Sequence, residues 1–146
     1  MEAFVTAGAG FLLAVLWFDL MFDVQARGTV TDEAIASIST YYRRVTTDAR
    51  PMNRLVALAM LATVTAIVVE LVTDRVAPWV GWVSLGFAIF PMSVAALRTV
   101  PRAVRLGAGR DPTDEQARMA RRILREHVLC FLSVGALITV QLVSAA

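Results

Sequence analysis

The amino-acid sequence predicts an all-α integral membrane four-helix bundle, with an interfacial amphipathic helix and cytoplasmic extensions of helices three and four. Three observations carry this. Hydrophobic residues make up 58% of the 146-residue chain, and the mean hydropathy of +0.65 lies beyond that of ordinary soluble domains. The apolar residues gather into four blocks of roughly 17 to 22 residues, the length that carries a helix across about 30 Å of hydrocarbon. Arginine is concentrated in the first and third of the three connections, as alternate sides of a membrane require.

The first block runs from Phe4 to Phe22. Its small residues Gly8, Ala9, Gly10 and Ala14 permit close helix approach and predict an inside position in the bundle. A cleaved signal peptide is the rival, since Val24-Gln25-Ala26 has the look of a processing site. However, the segment opens on Glu2, lacks a basic leader and carries Asp19 and Asp23, so a retained span is expected. Asp32 and Glu33 then open a helix with Ile35, Ile38, Tyr42 and Val45 at helical spacing, an amphipathic pattern suited to the interface.

Pro51 suits the first turn of the second span, where a missing N–H costs nothing, and Leu55 to Val72 continue as an apolar run. Asp74 to Pro78 make a tight return. Trp79 and Trp82 open the third span as an aromatic belt, and Pro91 within it predicts a kink. Helix three is expected to continue through Arg98, Pro101, Arg102 and Arg105 to the breakers Gly107 and Gly109. Asp111-Pro112-Thr113-Asp114-Glu115 then caps a long helix whose second half, Val128 to Val143, is the fourth span. The expected spans are thus 4–22, 55–73, 79–98 and 128–144 within one domain, 1–146.

All 14 basic side chains are arginine. Arg27, Arg43, Arg44, Arg50 and Arg54 lie between spans one and two, Arg98 to Arg125 between spans three and four, and only Arg75 in the remaining loop. This asymmetry places the arginine-rich connections in the cytoplasm and both termini outside.

Chemistry-bearing residues are few. Asp19 and Asp23 share a helix face near the cytoplasmic end of span one, where a carboxylate beside hydrocarbon needs a partner. An ion pair with Arg54, Arg98 or Arg125 is the first expectation, and a proton or cation site the second. Glu70, beside Asp74 and Arg75, is expected to reach the outer headgroups. His127, next to Glu126, could complete a histidine–carboxylate set with Asp19 and Asp23, but one histidine is a weak metal signal and no metal or cofactor is expected. Cys130, alone in an apolar block, reads as a core residue. Arg98, Arg102 and Arg105 follow one helical face, and Arg118, Arg121, Arg122 and Arg125 another. Such stripes suit anionic lipid headgroups or a partner, with Asp111, Asp114, Glu115 and Glu126 as internal counterions. Nucleic-acid binding is not expected, since no aromatics interleave the arginines. A phosphate loop, a nucleophile elbow, paired intramembrane histidines and a CxxC motif are all absent.

Gly8-Ala9-Gly10-Phe11-Leu12-Leu13-Ala14, Arg50-Pro51-Met52-Asn53-Arg54 and the helix Arg118 to Val143 with Arg125 and His127 give the chain a layout that resembles the anthrone-oxygenase-like group of small four-helix bacterial membrane proteins. Where that group tends to carry tryptophan and asparagine entering span four, this chain has Glu126 and His127. The resemblance implies a bundle in the bacterial cytoplasmic membrane. The leading functional expectation is a non-catalytic accessory module that binds anionic lipid, a copy of itself or another membrane protein. A small oligomeric transporter using Asp19, Asp23 and Glu70 and an oxygenase-like enzyme using Asp19, Asp23 and His127 are the alternatives.

Overall fold

The computed structural model describes residues 2–145; Met1 and Ala146, which complete the expected 1–146 domain, lie outside the described residues. Every regular element among the described residues is helical. Six α-helices follow one another: α1 (Glu2–Asp23), α2 (Asp32–Arg43), α3 (Arg50–Val72), α4 (Pro78–Val94), α5 (Val100–Ala108) and α6 (Thr113–Ala145). A five-residue π turn, Arg44–Asp48, joins α2 towards α3, and a second, Ala95–Thr99, joins α4 to α5. Ala3–Ala26, Asn53–Val72, Pro78–Ala108 and Thr113–Ser144 are long and apolar enough to cross a membrane. The chain is a multi-pass membrane protein.

The four long helices form a ring in which α6 lies against α1 and α4, and α3 closes the circuit against the same two. Val5, Ala9, Leu12, Ala66, Ile67, Ala88, Val134 and Leu137 fill its core. The outer surface is just as apolar, with Phe4, Phe18, Leu58, Leu61 and Leu132 exposed. Such a surface is stable only against hydrocarbon. Trp79 and Trp82 are also exposed at the start of α4, as a belt requires. The expected inside position of α1 is corrected: Ala9 is buried and Gly8 approaches Thr63, but Gly10 has open space and Ala14 is exposed. A four-membered ring has no inside helix, so each span keeps a lipid-facing side.

Pro91 sits inside α4 and supplies no N–H to the carbonyl of Phe87, one turn back. Ser133 on α6 donates to that carbonyl at 2.9 Å, which satisfies the orphaned acceptor from a neighbouring helix. α4 runs on through Pro91 to Val94, and the π turn Ala95–Thr99 follows one turn beyond the proline.

At the arginine-rich end a second core forms, from Ala26, Ile38, Tyr42, Ala103, Leu106, Met119, Ala120, Ile123 and Leu124. The amphipathic helix α2 is capped by Thr31, whose hydroxyl accepts from the Ala34 N–H at 3.2 Å. Its apolar stripe of Ile35, Ile38 and Tyr42 is covered by protein, since α2 packs against α5 and α6. α2, α5 and the first half of α6 thereby make a small domain-like knob. Of the two expected breakers, Gly109 ends α5 in the left-handed region at φ 62°. Gly107 instead lies buried inside α5, against the α2 backbone. Ser39 on α2 fixes the same contact by donating to the Leu106 carbonyl at 2.8 Å.

Candidate functional site

Asp19 and Asp23 lie four residues apart on the last two turns of α1, so their carboxylates stack on one face. That face meets α2 and α6. Tyr42 donates to Asp23 Oδ1 at 2.6 Å, and Tyr41 donates to Asp19 Oδ1 at 2.6 Å. His127 from α6 places Nδ1 at 2.6 Å from Asp23 Oδ2, while its Nε2 lies 3.9 Å from Asp19 Oδ2. The result is a chain of polar groups, Tyr42–Asp23–His127, with Asp19–Tyr41 beside it. Asp23 is wholly buried and His127 nearly so.

The packing explains why these hydrogen bonds hold. Phe22 stacks on Tyr41 with ring centroids 4.0 Å apart, and Tyr41 meets Tyr42 edge-on at 5.3 Å. Asp23 is closed off from water there and depends on Tyr42 and His127 for its hydrogen bonds, while Asp19 is partly exposed beside Tyr41. Burial pushes the Tyr41 phenol well above its ordinary value, with the neighbouring Asp19 carboxylate acting in the same direction. Tyr42 is raised for the same reasons, burial first and then Asp23 and Asp19.

This shift has a direct readout, because Tyr41 and Tyr42 are the chain's two tyrosines. The raised phenols stay neutral in the folded protein above about pH 10, where the unfolded chain ionises. Their contribution to stability is therefore fully present below about pH 10 and is lost as pH rises from there through the folded values. In a spectrophotometric titration the phenolate band is expected to be missing near pH 10 and to appear on unfolding. A normal phenolate titration in folded protein would contradict the buried placement.

The expected partners of Asp19 and Asp23 are corrected. Arg54, Arg98 and Arg125 are exposed, and the carboxylates are met by tyrosine and histidine instead. Spacing alone could not reveal this, because Tyr41 and Tyr42 reach the site through tertiary packing. Tyr42 did belong to the apolar stripe of α2, but its hydroxyl gave no signal there. Glu70 is also corrected: it is buried, 1% exposed, while Asp74 and Arg75 next to it are exposed. Its position in the last turn of α3 turns it into the bundle and away from the headgroups. Among the described residues no group of three or more His, Cys, Asp or Glu side chains is arranged to hold a metal ion.

Glu126, the neighbour of His127, points another way round α6. It accepts from Thr99 at 2.9 Å and pairs with Arg102. Arg105 forks onto Asp111 at 2.6 and 2.9 Å and reaches Glu115 at 2.7 Å. The Arg105 guanidinium holds the Asp111 carboxyl below the usual carboxylate range. Arg118 pairs with Asp114 at 2.8 Å. Arg98, Arg121, Arg122 and Arg125 are exposed, with no ion pair among the described residues. A cleft of about 320 Å³ opens between α5 and α6, lined by Pro101, Arg102, Arg105, Glu115, Arg118, Met119 and Arg122. Cys130 is buried, as a core residue should be.

No family model, curated protein or solved structure matches the chain. The functional reading therefore rests on its own residues.

Proposed function

We propose that this protein is a non-catalytic accessory module of the bacterial cytoplasmic membrane, with both termini outside and the arginine-rich knob in the cytoplasm. It binds anionic lipid, a copy of itself or another membrane protein through that knob. One observation carries the reading: the titratable groups gathered at Asp23 are engaged with one another, while Arg98, Arg121, Arg122 and Arg125 are exposed with no ion pair among the described residues and outnumber the exposed carboxylates of α5 and α6. Buried carboxylates held by phenols and an imidazole fix a shape, and exposed arginines beside a membrane attract anionic groups. The arginine asymmetry supports the orientation.

A second reading, proton or cation transport, is favoured by the placement of His127 between two carboxylates. Beyond Asp19 the ring core combines Leu12, Ala9, Ile67, Val134 and Leu137 with the buried polar side chains Thr63, Glu70, Ser84 and Gln141. Flux in vesicles that disappears in Asp19→Asn would select transport.

Native mass spectrometry of protein extracted gently from its own membrane, with metal analysis of the same sample, tests the leading reading. A protein or lipid retained at fixed stoichiometry is the expected result. A bare chain carrying stoichiometric metal would overturn it in favour of the oxygenase-like chemistry that the family resemblance suggests.

A further inference from the structure

We propose that the cleft between α5 and α6 binds the phosphate of one anionic phospholipid, with Arg122 as its principal ligand. The inference deepens the accessory-module reading and rests on it. Four arginines line the cleft against a single carboxylate, Glu115. The ion pairs around it make these arginines unequal. Arg102 is committed to Glu126, Arg105 uses Nε and Nη2 on Asp111 and Glu115, and Arg118 uses Nη1 on Asp114. Arg122 is exposed and has no hydrogen bond or ion pair to the described residues, so its whole planar fork remains for a bidentate oxyanion. The paired arginines hold the walls while Arg122 supplies the free donors.

Helical geometry puts the cleft at the right depth. The apolar run of α6 begins at Val128, so Arg122 lies about 9 Å below it along the axis, and Arg102 lies about 6 Å beyond Arg98 at the end of the third span. The headgroup layer of one leaflet is about 5–8 Å thick, so Arg102 lies within it and Arg122 starts just beyond it, where its long side chain can reach back to the phosphates. Met119 and Pro101 give the same cleft an apolar wall, suited to the glycerol part of a lipid. A soluble phosphate would gain nothing from that depth or that wall.

The full chain in detergent would be titrated with phosphatidylglycerol, with phosphatidylcholine as the neutral probe and inorganic phosphate as competitor, and the bound forms counted by native mass spectrometry. One phosphatidylglycerol per chain is expected, bound in preference to phosphatidylcholine and resistant to millimolar phosphate. Arg122→Gln is expected to weaken it about fivefold, the effect of roughly one surface charge. Arg121→Gln removes the same charge from the same exposed helix outside the cleft and is expected to have a much smaller effect. Equal losses in the two variants would mean diffuse attraction and overturn the site while leaving the module reading in place. Displacement by inorganic phosphate at comparable concentration would overturn the lipid assignment. Retention of a protein partner with no lipid preference would also sink this proposal and spare the module reading, whereas a bare chain would sink both.

Discussion

Replacing Asp23 by alanine is expected to destabilise the protein by about 3–5 kcal/mol, the range seen when one member of a buried polar pair is removed. Asp23 is completely buried, and it ties together three elements: its own α1, α2 through Tyr42 and α6 through His127. Truncation leaves a phenol and an imidazole nitrogen in a water-excluded site with their shared partner gone, and it opens space as well. Asp23→Asn separates hydrogen bonding from charge. The amide oxygen can still accept from Tyr42, and the amide N–H can donate to the other tautomer of His127, so a loss of about 1–2 kcal/mol is expected. Reversible unfolding in detergent measures both. An alanine variant within about 1 kcal/mol of the parent would show that the network does not hold the knob to the bundle.

The larger features of the fold were legible because membrane folding writes them at long range along the chain. Block length depends on a continuous apolar stretch and needs no tertiary knowledge, and four long apolar helices are what the fold shows. The long α6 was readable from Thr113, Asp114 and Glu115 at its start and the unbroken helical run behind them. The cover over α2 was not. Ile35, Ile38 and Tyr42 make the same apolar stripe whether lipid or protein lies against it, and only α5 and α6 decide which.

The candidate site was half legible for a related reason. Asp19, Asp23 and His127 stand out because ionisable groups are rare near hydrocarbon. Their partners do not, since a tyrosine on an amphipathic helix looks like any other apolar residue until its hydroxyl is placed. Composition favoured arginine partners, as arginine is abundant here. Packing excluded them: Arg54, Arg98 and Arg125 stay exposed, while the short, flat tyrosines fit between α1 and α6. Glu70 misled in the same way, because its nearness in sequence to Asp74 and Arg75 says nothing about which side of α3 it occupies.

Gly107→Ala is expected to have the second large effect, about 1–3 kcal/mol of overpacking. A methyl group at this position would lie 2.6 Å from the Arg43 backbone nitrogen, 2.9 Å from its Cα and 3.0 Å from the Tyr42 carbonyl carbon. These are main-chain atoms of α2 and have no rotamer by which to move aside, so α2 itself must shift. Alanine's better helix propensity, worth about 1 kcal/mol, offsets only part of this. Because α2 carries Tyr41 and Tyr42, the shift is expected to loosen their bonds to Asp19 and Asp23 and to bring the phenolate titration down towards its ordinary range. Gly10→Ala supplies the comparison. A methyl group there meets nothing within 4 Å, so that variant is expected to be neutral or slightly more stabilising, with the phenols unchanged. If Gly107→Ala left both stability and the titration as they were, α2 would be free to adjust without disturbing the site, and the knob would have to be held by its apolar core alone.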